Sequence, residues 1–252
     1  MTPVVIGLLA CLSMLGGTWL GMRLRDALPE HHLGDESKEA VRLGMALIAS
    51  LTALVLGLVI ATAKSAFDEQ NSAVRHAAAD ILTLDRVLAD YGPETQACRD
   101  GIRRLVELQL EHIWDEGSES APTDSASGMR AIEALDAGLR LLTPQNDAQR
   151  GLQARALSIS GDIQETRWLR LESGGAPIPT PFLVIIVFWL TVLFWSFGLF
   201  CPSNATVKVV YAMCALSAGA AIYLILELEH PFDGIVKVSS EPMHYTRSHL
   251  GE

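Results

Sequence analysis

Cysteine is scarce, at four in 252 residues, and no two stand as Cys-x-x-Cys. Cys11, Cys98, Cys201 and Cys214 are scattered, so neither a disulfide framework nor a thiolate zinc site is expected. A basic patch with interleaved aromatics is missing as well. Lys and Arg number 19 against 29 Asp and Glu, and aromatics make up 6% of the chain. A net charge of −10 repels a polyanion, so nucleic acid is not an expected partner. Catalytic signatures are absent: no Gly-x-Ser-x-Gly, no His-Glu-x-x-His, no Gly-rich phosphate loop and no dinucleotide turn. Neither an enzyme nor a cofactor is therefore expected. Strand-like alternation and internal repeats are also lacking, which leaves an all-α fold.

The absence that decides most is local. Residues 4–22, 43–63, 182–200 and 209–226 contain no Asp, Glu, Lys, Arg or His. A bilayer core about 30 Å thick needs roughly 20 apolar residues as a helix. A soluble helix of that length would carry a polar face, and these carry none. Four transmembrane helices are expected, with the lipid bilayer as solvent. A cleavable signal would open on basic residues. Met1-Thr2-Pro3 has no charged side chain, and Arg23-Leu24-Arg25 follows the first apolar run, as for a retained anchor.

Four crossings put both termini and one large polar segment on the same side. The expected division is a first transmembrane pair (1–64), a polar helical domain (65–178), and a second pair with a short tail (179–252). Pro202-Ser203-Asn204 reads as a tight turn between the last two spans. The sequon Asn204-Ala205-Thr206 abuts the membrane and is read as part of that turn. Arg23, Arg25, Lys38, Arg42 and Lys208 favour a cytoplasmic place for the short connections, whereas Lys64, Arg75, Arg167, Arg170, Lys237 and Arg247 favour the opposite. The two sets leave the side of the large domain open.

The segment 64–178 carries 12 Lys and Arg against 19 Asp and Glu. Val74, Ala77, Ile81, Leu84, Leu88 and Tyr91 recur at three- and four-residue spacing, the mark of an amphipathic helix. Nothing breaks the helix between the second span and this run, and Gly92-Pro93 stops it. A second helix places Cys98, Ile102, Leu105, Leu110 and Ile113 on one side. Residues 115–128, rich in Ser, Glu, Asp, Gly and Pro, read as a mobile loop. A third helix carries Met129, Ile132, Leu135, Leu139 and Leu142, and a fourth runs over 147–171. Gly174-Gly175 and Pro177, Pro179 and Pro181 lead into the third span. An antiparallel amphipathic bundle between spans two and three is the expected arrangement.

Candidate site residues follow from position. Ala46, Ser50, Ala53, Gly57 and Ala61 form a small-residue stripe along one face of the second span. Such a stripe either packs another helix closely or lines an axial pore in an oligomer, with Ser50 as its polar contact. Ala215-x-x-x-Gly219 in the fourth span reads as packing. Glu227, Glu229, His230 and Asp233 end the fourth span, on the side where topology also places Lys64 and Asp68. Carboxylates at a membrane boundary lose solvation unless paired, so Lys64 with Glu227 or Glu229 is a candidate ion pair, either a structural lock or a ring at a pore mouth. His31-His32-x-x-Asp35-Glu36 offers metal-like ligands without a recognised spacing, so no metal is expected there. His76 and His112 read as surface residues.

Several segments together resemble the bacterial bestrophin-like domain membrane proteins. They are Arg25-x-x-Leu28-Pro29-x-His31, Leu54-Val55-Leu56-Gly57, Leu84-Asp85-Arg86-x-Leu88-Ala89-x-Tyr91-Gly92, Phe197-Gly198-Leu199-Phe200-x-Pro202-x-Asn204, and Leu226-Glu227-Leu228-Glu229-x-Pro231-Phe232-x-Gly234. The resemblance covers nearly the whole chain. It implies a relation to bestrophins, pentameric anion channels with two spans, a cytosolic helical region and two further spans. It also implies a cytosolic place for the polar domain. One departure is visible: the second span has no aromatic residue, Phe67 being the first that follows, where bestrophins have an aromatic neck.

The expected function is a homo-oligomeric bacterial inner-membrane protein that conducts ions, with the second span nearest the axis. Symmetry would then supply rings of identical side chains. Two rivals stand beside it: a non-conducting scaffold or sensor whose helical domain binds a partner, and a membrane enzyme using Glu227, Glu229 and His230.

Overall fold

The computed structural model describes residues 2–29, 34–111, 114, 123–172, 180–200, 204–232 and 234–251, and every regular element among them is helical. α1 (Pro3–Ala27) begins on a proline, which sits without penalty where the N–H has no intrahelical acceptor. Arg25 in its last turn opposes the negative end of the helix dipole. α2 (Asp35–Tyr91) runs unbroken for 57 residues, as the sequence between the second span and Tyr91 predicts, although it starts well before the apolar run at 43. Gly92, at φ +135°, and Pro93 end it. A 3₁₀ turn (Pro93–Thr95) then leads into α3 (Gln96–Leu110). α4 (Thr123–Leu141), α5 (Asp147–Glu172), α6 (Thr180–Phe200), α7 (Ala205–Leu228) and α8 (Glu241–His249) follow.

α1, α6, α7 and the stretch Lys38–Tyr91 of α2 are long and apolar enough to cross a membrane. The expected loop over 115–128 is partly overturned, because α4 already begins at Thr123. Its remaining residues, 115–122, lie outside the described residues, as do His31, His32, His112, Ile113, Gly174, Gly175, Pro177, Pro179, Cys201, Pro202, Ser203 and Asp233. The side chains of Glu36 and Met129 are likewise outside them.

The chain divides into two units. The first joins Met1–Ala66 to Ala176–Glu229. Its core is built by Ala10 and Met14 of α1, Phe194 of α6, and Ala215, Ile222 and Leu226 of α7. Backbones approach closely where glycines face them. A methyl group on Gly21 would strike the Trp195 carbonyl, and one on Gly198 the Thr18 carbonyl. Gly7 and Gly219 meet in the same way, each with the other's carbonyl 3.0–3.2 Å from where its own Cβ would be. Ala215-x-x-x-Gly219 therefore serves helix packing in this unit. In lipid, where burying apolar surface gives no drive, such dispersion contacts hold helices together. Ser13 and Thr191 add a hydroxyl–hydroxyl hydrogen bond of 3.1 Å between α1 and α6.

The second unit joins Phe67–Gly175 to His230–Glu252. Val74, Ile81, Leu84 and Leu88 of α2, Ile102, Val106 and Leu110 of α3, Leu139 of α4 and Ala156 of α5 form one apolar core. The periodic residues read from α2 are all buried. α5 closes the open ends of its neighbours. Asn146 Oδ1 caps it by accepting from Gln149 N at 2.8 Å. The Gln149 Nε2 then donates to Tyr91 O at the end of α2, and Gln153 Nε2 to Leu139 O and Leu142 O at the end of α4.

The segment after α7 completes this second core with Val238, Met243 and Leu250. Trp114 Nε1 donates to Val238 O at 3.0 Å, and Thr246 Oγ1 to Ala78 O at 3.2 Å. Arg103 donates to Leu250 O, and Gly251 N to the Asp85 carboxylate, both at 3.1 Å.

Candidate functional site

In the first unit α2 presents three faces. Thr52, Val59 and Ala63 are buried. Roughly 140° around the helix from them lies the small stripe. Ala46, Ser50, Ala53, Gly57 and Ala61 are all exposed. A Cβ on Gly57 would meet nothing within 4 Å. The stripe therefore takes no part in close packing within the chain, unlike Gly21 or Gly219. Beside it runs a ridge of Leu43, Leu47, Leu51, Leu54 and Leu58, between 41% and 71% exposed. Sequence reasoning passed over this ridge, which was visible as leucines at three- and four-residue spacing.

The stripe has little polar capacity. Ser50 offers its one hydroxyl, and the others contribute only methyl or backbone. Thr52 and Thr62 turn their hydroxyls onto their own helix, donating to Ile48 O at 2.7 Å and Leu58 O at 3.0 Å.

Of the charged candidates, Lys64, Glu227 and Glu229 belong to the first unit, Asp68 and His230 to the second. Glu227 is 4% exposed and shares a hydrogen bond with Tyr223, one turn earlier on α7. Glu229 is half-buried, and Lys64, Asp68 and His230 are exposed. Each of these five has an interaction partner. Among the described residues no three His, Cys, Asp or Glu side chains converge to hold a metal.

Two carboxylates of the second unit are shifted in opposite directions. Burial raises Asp85, but the Arg99 guanidinium, the Gly251 N–H and Arg103 outweigh it and hold the group below 3.8. Asp80 lies above its ordinary value, because burial and the charge of Asp162 outweigh the opposing effect of His76. Sequence reasoning quoted Asp85 without seeing its partner, which is 14 residues away across the Gly92 corner.

A family model described as Bestrophin-like domain matches residues 11–243. None of the curated proteins matches the sequence. Among solved structures, the chain is similar to a bacterial bestrophin homolog from Klebsiella pneumoniae carrying an I180T mutation. That likeness has a TM-score of 0.63 at 15% identity, covering 98% of this chain and 99% of the other.

Proposed function

The chain belongs to the bestrophin-like domain family, and from that premise we propose that it forms a homo-oligomeric ion channel with α2 nearest the symmetry axis. The observation that carries this reading is the unpacked stripe. Small residues in a membrane helix normally mark close helix contact, yet Ala46, Ser50, Ala53, Gly57 and Ala61 are exposed within the chain. Turned to an axis, they leave room for a passage, while the leucine ridge meets lipid or the neighbouring copy. Family membership and four apolar helices make it an integral membrane protein. The finer arrangement is two spans, an inserted helical bundle over residues 65–178, and two further spans, in a bacterial inner membrane.

A passage lined this way carries no fixed charge. It discriminates by width and by dewetting at its apolar rings, with Ser50 as the hydroxyl ring. Lys64, Glu227 and Glu229 form the ring or lock at its polar mouth, with Lys64 paired to Glu227 or Glu229.

The test is ion flux from vesicles holding the purified chain. Gly57→Leu, at a position where a Cβ would meet nothing within 4 Å, is expected to leave folding and assembly intact and to cut flux at least about tenfold by narrowing the passage. Lys64→Ala is expected to weaken assembly or flux. An oligomer that passes no ions would favour the scaffold reading, and a monomer would end the channel reading.

A further inference from the structure

The first unit contains a cavity of about 390 Å³ between α2 and α6, a size suited to one small ligand or chain. Ala46 and Ala49 of α2, Leu193, Phe197 and Phe200 of α6 and Tyr211 of α7 form its walls, and Lys38 and Arg42 its rim. The rim lies just before the uncharged run that starts at residue 43, and Phe200 ends α6. Charge therefore stands at the edge of the apolar layer, with the apolar wall beside it. Phe197 and Tyr211 stack at 5.6 Å with an interplanar angle of 14°, so part of that wall is pre-formed.

This pattern selects its occupant by chemistry. A wall without charge suits hydrocarbon, and two cations at a membrane boundary suit an anionic head. Arg42 has no acidic partner among the described residues, and its planar fork matches two phosphate oxygens at once. Lys38 bonds Asp35 at 3.2 Å, but that pair is exposed and leaves the ammonium with donors to share. A choline head would bring a third cation to the rim.

We propose that this cavity binds an acyl chain of an anionic phospholipid, with the phosphate held at Arg42 and Lys38 beside it. The proposal requires membrane insertion; it shares Ala46 with the stripe of the proposed passage but does not need ions to be conducted.

The full chain, purified in detergent, would be titrated with phosphatidylglycerol, with phosphatidylcholine of the same acyl chains, and with palmitate, counting bound lipid by native mass spectrometry. Phosphatidylglycerol is expected to bind saturably and about tenfold more tightly than phosphatidylcholine. Arg42→Gln should bring phosphatidylglycerol down to the phosphatidylcholine level, with Lys38→Gln as the second variant if Arg42→Gln is poorly folded by circular dichroism. Ala49→Trp, which fills the cavity, should weaken both lipids. Equal affinity for the two heads, or indifference to both rim variants, overturns the proposal. So does palmitate displacing phosphatidylglycerol at lower concentration, or Ala49→Trp changing the subunit number while lipid binding stays intact.

Discussion

Asp85 of α2 and Arg99 of α3 meet in a two-bonded ion pair, Nε to Oδ1 at 2.8 Å and Nη2 to Oδ2 at 2.9 Å. Both side chains are largely withdrawn from water, 7% and 16% exposed. The geometry uses the fork of arginine, and the remaining acceptor capacity of Asp85 takes the Gly251 N–H. Arg99→Ala would leave a buried carboxylate without its counter-charge. It is expected to lower unfolding stability by about 3 kcal/mol, measured by denaturant titration of the solubilised chain. Arg99→Lys should recover only part of the loss, because an ammonium cannot make both bonds.

The opposed shifts of Asp80 and Asp85 give a pH signature. Asp85 is depressed when folded, so its contribution is full above 3.8 and is lost as pH falls through its lower native value. Asp80 is raised when folded, so the native chain binds its proton more tightly. That group gains stability as pH falls through its raised value towards 3.8. Asp80→Asn is expected to be more stable than the parent at neutral pH. The advantage should vanish as pH approaches 3.8, which an unfolding midpoint measured against pH would read directly.

Glycines divide into two kinds, and mutation should separate them. Gly21→Leu is expected to abolish monodisperse protein on gel filtration, because the side chain would run into α6 at Trp195. Gly16→Ala meets nothing within 4 Å and should stay within about 0.5 kcal/mol of the parent.

Trp114 ties the segment after α7 to the second unit. Its indole donates to Val238 O at 3.0 Å and its ring meets Phe232 edge-on, with centroids 6.1 Å apart. Trp114→Ala is expected to speed amide hydrogen exchange across residues 238–251 while α1, α6 and α7 keep their protection.

Much of this was legible because lipid imposes a simple rule on sequence. Residues 4–22 fall within α1, 182–200 within α6 and 209–226 within α7, since uncharged helices of that length have no other solvent. The stop at Gly92-Pro93 was equally plain, as φ +135° requires glycine. The start of α4 was hidden by a Ser- and Asp-rich run that resembles linker. α8 was missed although Pro242 at its first turn is a start signal, because what holds it is distant in sequence: Thr246 donates to Ala78 O, 168 residues away. At the candidate site the spacing of the α2 stripe was readable. The glycines that join helices within the chain, Gly17-x-x-x-Gly21 among them, carry the same spacing, and only coordinates tell which stripe meets a neighbour.

The split composition of the second unit sets an order of events during synthesis. Val74, Ile81, Leu84 and Leu88 leave the ribosome long before Val238, Met243 and Leu250, and the whole of α6 and α7 is translated between them. Both of those apolar helices are synthesised before the last piece of the polar core exists. Until then the apolar core of the second unit lacks Val238, Met243 and Leu250, so a pause in synthesis prolongs the exposure of its greasy surface.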